Sequence, residues 1–154
     1  MTKNDIKNIG ILGITPIVFG AFIYLISRPK TILLFEWIRI IKLETLSNKI
    51  REFFTEYYLP NWVKYNLPDL LWVFGFTSVM LIIWNGIEAR FKSFYIFLPL
   101  FIGVMSEILQ YFNPKYGTFD LLDIIFYSLG SITSILILKT INKSSYEKQI
   151  ATSI

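Results

Sequence analysis

Four long apolar runs fill about half of this 154-residue chain, and a single soluble core of that size has no room to bury them. They are residues 9–26 (IGILGITPIVFGAFIYLI), 67–84 (LPDLLWVFGFTSVMLIIW), 94–112 (FYIFLPLFIGVMSEILQYF) and 121–138 (LLDIIFYSLGSITSILIL). Each holds 18 or 19 residues, close to the ~20 that a helix needs to cross a bilayer. Hydrophobic residues make up 54% of the chain and aromatics 18%. A small globule would leave much of that surface in water. Lipid covers it at no cost.

The sequence therefore predicts an all-α fold. One membrane domain, residues 1–154, holds four transmembrane helices at about 9–26, 67–84, 94–112 and 121–138. Pro16 and the three glycines of the first run are tolerable in a membrane helix. No small-x-small cleavage site follows that run, so it reads as a retained helix. Pro68 and Asp69 suit the N-terminus of the second. Short loops, 85–93 and 113–120, make the last three helices antiparallel neighbours.

Between the first two runs, Leu43, Leu46, Ile50, Phe53, Phe54 and Tyr57 fall on one helical arc, with Glu44, Lys49, Arg51, Glu52 and Glu56 outside it. That pattern predicts an amphipathic helix at about 36–58, lying in the interface or capping the bundle. Packing on its own bundle is the plainer expectation for such a helix. Pro60 ends it, and Trp62 and Tyr65 read as interfacial anchors. The tail from 142 to 154 is polar, which predicts fraying.

Charge sets orientation and partners. The 15 Lys/Arg against 11 Asp/Glu cluster beside apolar runs, as in proteins that meet anionic lipid; no nucleic-acid-binding pattern accompanies them. Lys3, Lys7, Arg90, Lys92, Lys139, Lys143 and Lys148 share one side, which predicts cytoplasmic termini. With no Cys and no His, thiolate nucleophiles, imidazole-based triads and the usual zinc sites are excluded. Any chemistry falls to carboxylates, hydroxyls, amides and cations.

Carboxyl groups at membrane depth are costly and call for an explanation. Glu107 lies five residues before the end of its run, about 8 Å along the axis. Gly103, Glu107 and Gln110 share its face. On the fourth run Asp120, Asp123, Tyr127, Gly130, Ser131 and Ser134 form a matching stripe. Two such faces joined by a short loop should meet, with Asp69 at the same level. The candidate polar site is therefore Asp69, Glu107, Gln110, Asp120, Asp123 and Tyr127. The plainer alternative makes Asp120 an N-cap, Asp123 a dipole-favoured first-turn acid and the rest interhelical staples. Gln would serve such a staple as well as Glu107. Lys115 is the one base in the adjacent loop, and no Arg is expected beside the acids.

Glu107-x-x-Gln110, a Pro-containing loop, Gly117-Thr118-Phe119-Asp120-x-x-Asp123 and then Gly130 resemble the VanZ-like membrane protein family. The opening Leu67-Pro68-Asp69-x-x-Trp72 is similar to compact members. Tyr127 stands where the family usually has Asn, and the loop lacks the family's Arg. The resemblance implies a multi-pass protein of the bacterial inner membrane, associated with the cell envelope and glycopeptide resistance, and it brings no established reaction. The expected role is a non-enzymatic subunit, or a binder of an envelope lipid or protein partner, with the bilayer and a membrane protein or a second copy as partners. No cofactor is expected. Two alternatives stand beside it: an enzyme acting on a lipid-linked phosphate with carboxylate-held Mg²⁺, and an ion-coupled carrier working as an oligomer.

Overall fold

A computed structural model describes residues 1–30, 33–54, 56–113 and 118–152, without the side chains of 33, 34 and 143–152. Lys115 and Gly117 lie outside the described residues. The described chain is helical throughout its regular structure, with no strand. Three helices are long and apolar enough to cross a membrane: α1 (Lys3–Ser27), α6 (Lys92–Phe112) and the Leu121–Asn142 part of α7 (Leu121–Thr152). Between α1 and α6 lie α2 (Leu33–Ile40), α3 (Glu44–Phe54), α4 (Asn61–Tyr65) and α5 (Leu67–Ile83). At 17 residues α5 is apolar but spans about 25 Å at 1.5 Å per residue. The polar tail is helical as far as Thr152, not frayed from residue 142.

α1 begins six residues before its apolar run, behind a capping box in which Thr2 and Asp5 satisfy each other's backbone N–H groups. Proline has no N–H and its ring crowds the carbonyl four residues back, so Pro16 should break this rod. Instead Ile9–Ile14 widen into a π-helical segment. The Thr15 N–H reaches the Gly10 carbonyl, and the Thr15 hydroxyl donates to the same oxygen at 3.0 Å. One extra residue in the turn lets the helix pass the proline unbroken.

Helix α5 sits at the centre of the bundle. A Cβ on Gly75 would stand 2.5 Å from the Gly13 carbonyl oxygen and 2.7 Å from Ile17. Gly20 lies against Pro68 and Leu71, so α1 and α5 run antiparallel, backbone close to backbone. On the other face Gly130 abuts the Leu70 carbonyl, and Ser78 and Ser134 share a buried hydroxyl hydrogen bond of 2.8 Å. α5 and α7 are therefore parallel. Small residues replace bulk here because lipid supplies no hydrophobic drive between helices; close backbone approach and interhelical hydrogen bonds hold them. Trp84 at the end of α5 stacks on Tyr95 of α6, with ring centres 5.1 Å apart.

The single amphipathic helix expected over 36–58 is two helices. Lys42 between them has φ 60°; its N–H bonds to the Arg39 carbonyl, and the Leu43 N–H to that of Ile38. This is a Schellman stop, with lysine in the left-handed position usually held by glycine. Of the two orientations open to the apolar arc, most of it turns away from the bundle. Leu43, Leu46, Phe53 and Tyr57 are exposed, whereas Ser47 is buried and Phe54 meets Phe22 edge-on at 5.5 Å. The face that packs on the bundle is the narrow Ser47–Phe54 strip. Arg51 anchors it, donating to the Leu25 and Arg28 carbonyls at the end of α1, where a cation also suits the helix dipole.

Candidate functional site

The alternating directions bring the C-termini of α1 and α6 and the N-termini of α5 and α7 to one end of the bundle. A half-open cavity of about 330 Å³ lies there. All six residues singled out from the sequence line it: Asp69, Glu107, Gln110, Asp120, Asp123 and Tyr127. Tyr24, Arg28, Tyr65 and Thr118 complete its wall.

Glu107 is the pivot and is 1% exposed. Its Oε1 accepts hydrogen bonds from Gln110 Nε2 at 3.1 Å and the Tyr127 hydroxyl at 3.4 Å, while Oε2 accepts from the Asp120 N–H at 3.1 Å. One side chain thus ties the end of α6 to the start of α7. Gly103, a turn earlier, makes room for Tyr127, since a Cβ there would stand 2.9 Å from the ring. Trp72 holds that ring's other side edge-on at 5.7 Å. The Trp72 indole N–H donates to Asp69 Oδ1 at 3.3 Å.

Asp120 caps α7: its Oδ1 accepts the Leu122 N–H at 2.8 Å, the ordinary N-cap bond. Capping and cavity lining coexist in this residue. Asp123, in the first turn, accepts from Asn66 Nδ2 at 2.7 Å, which fastens the α4–α5 junction to α7. Asn66 is itself buried.

The acids do have an arginine beside them. Arg28, just past the end of α1, reaches into the cavity wall. Its guanidinium lies 4.8 Å from the Tyr24 ring centre and 4.7 Å from that of Tyr65. Its Nη2 donates to the Tyr65 carbonyl at 3.3 Å, and its Nε is buried without a hydrogen-bond partner. A guanidinium between two aromatic faces is desolvated and held in place at once. Arg28 follows the first apolar run, far in sequence from the acids it joins. The missed signal was Tyr24-x-x-x-Arg28, a spacing that sets both on one face of α1 at the level of Asp69.

The four carboxyl groups against one guanidinium leave a formal excess of three negative charges around the cavity. Among the described residues, Asp69, Asp120 and Asp123 each receive one hydrogen bond, well short of the four a carboxylate can accept. Such a wall suits a ligand rich in donors and positively charged. Among the described residues no three acids are grouped to hold a metal ion. No protein-family model matches the chain, and no curated protein or solved structure matches it.

Proposed function

We propose that this chain is a VanZ-like protein of the bacterial inner membrane that binds an envelope lipid through its polar cavity and catalyses no reaction on it. The lipid's headgroup carries an amine. The observation carrying this reading is the cavity itself: acids from three helices and Arg28 from a fourth converge at the membrane-interface end of an apolar bundle. An ammonium group meets the acids, and the phosphate beside it meets Arg28, which lines the same cavity. Acids that served only as staples would have no reason to face a common open space.

In this reading α5 is the fourth span. Its 17 residues fall short of ~30 Å of hydrocarbon, but it is enclosed by α1, α6 and α7 and meets little lipid. The termini are cytoplasmic, following the basic residues on their side, and the cavity faces outward. With no native Cys, Lys143→Cys tests the orientation. An impermeant thiol reagent should leave it unlabelled in intact cells and label it after lysis; labelling in intact cells contradicts the assignment.

Binding is tested by extracting lipid from protein purified in mild detergent. The native chain should retain phosphatidylethanolamine. The Asp69→Asn/Asp123→Asn double variant should lose it at least fivefold while eluting as the same species. Equal retention by both proteins would refute the cavity as the binding site.

A further inference from the structure

A second cavity lies between the C-terminal part of α1 and the α3–α4 segment, and it shares no lining residue with the first. It measures about 470 Å³ and is also half-open, within the size range of small-ligand sites. Its floor is Phe19, Phe22, Ile23 and Ile26, which follow the i, i+3, i+4, i+7 spacing of one helix face. Leu67 at the start of α5 and Val63 of α4 border it on the bundle side. Phe54 and Leu59 close the far side.

Two charged residues line this groove, Arg51 and Lys64, and both are cations. They differ in employment. The Arg51 guanidinium is engaged with the terminal carbonyls of α1. Lys64 Nζ lies 5.5 Å from the Tyr58 ring centre, at the groove's rim on α4, where Trp62 and Tyr65 mark the interface. Apolar walls ending in a basic rim at headgroup level match one kind of molecule, an anionic amphiphile standing in a leaflet.

We infer that this groove is a second lipid site, which takes an acyl chain of an anionic phospholipid along α1 and its phosphate at Lys64. The site is independent of the polar cavity and its amine-bearing ligand. An apolar hollow of this size does not hold ordered water, and in a bilayer the molecule at hand to fill it is a lipid chain. The exposed apolar arc of α3 lies beside the groove and faces the same leaflet.

Native mass spectrometry of the full chain, released from nanodiscs of phosphatidylcholine with a minority of phosphatidylglycerol, tests this. The native protein should carry one phosphatidylglycerol at several times the fraction expected from the mixture. Lys64→Gln should bring that enrichment down about threefold or more. Ile26→Trp, which fills the groove, should remove the bound lipid of either class. Asp69→Asn/Asp123→Asn should leave phosphatidylglycerol untouched, so the two sites fail separately. Unchanged enrichment in both Lys64→Gln and Ile26→Trp, with the variants as helical and monodisperse as the parent, overturns the assignment. So does a lipid-free dimer as the main species of the native chain.

Discussion

Glu107→Leu should cost about 3 kcal/mol of bundle stability, because a buried donor left without an acceptor costs ~1–3 kcal/mol and three donors converge on this carboxyl group. The backbone N–H of Asp120 cannot turn away to find another partner, so it sets the minimum loss. Gln110 and Tyr127 border the cavity and can reorient. The same geometry corrects the expectation that Gln keeps every bond. An amide oxygen can take the Asp120 N–H, but its NH₂ then faces two groups that were themselves donors. Gln110 must turn its amide over, and Tyr127 must offer its lone pair. Glu107→Gln should therefore cost less than about 1 kcal/mol. Denaturant titration in mixed micelles, followed by circular dichroism, ranks the two. Equal losses would show that the charge, and not the acceptor geometry, holds α6 to α7.

Gly130→Ala is the second large effect, again about 3 kcal/mol, at the upper end of overpacking costs. The new Cβ would stand 2.5 Å from the Leu70 carbonyl oxygen and 3.1 Å from the Phe74 nitrogen. Both are backbone atoms of a helix, so no rotamer change relieves the contact; α5 and α7 must separate. Separation also lengthens the Ser78–Ser134 hydrogen bond and loosens the cavity wall. Gly10→Ala is the matched control, since nothing lies within 4 Å of its Cβ position and alanine is the better helix former. It should be neutral or slightly stabilising. A Gly130→Ala protein as stable as Gly10→Ala would contradict the close approach of α5 and α7.

The long helices were legible because each apolar run carries its own signal, and the cavity's acids because a carboxyl group inside such a run is conspicuous. Helical phase alone placed Glu107, Asp123 and Tyr127 on facing surfaces. The residues that escaped notice act across elements distant in sequence. Arg28 and Tyr24 arrive on α1, and Tyr65 and Asn66 on the α4–α5 junction, and neither contribution follows from the spacing of runs three and four. The break at Lys42 escaped because lysine is an uncommon left-handed residue; no glycine marks the stop. The periodicity of Leu43–Tyr57 defined an apolar face correctly but could not say which way it turned. In a membrane protein outward is as comfortable as inward, so the apolar face no longer identifies the core.

Occupancy of the polar cavity is tested most directly by protecting a single cysteine at its rim. Thr118 lines the cavity and the chain has no other thiol, so Thr118→Cys reports on that space alone. In nanodiscs of phosphatidylcholine its reaction with a small water-soluble methanethiosulfonate should be fast. Adding phosphatidylethanolamine should slow it severalfold, and Glu107→Gln or Asp69→Asn/Asp123→Asn in the same background should abolish the protection while the helical content stays unchanged. A rate indifferent to phosphatidylethanolamine, or protection that survives loss of the acids, would contradict a headgroup held by this cavity.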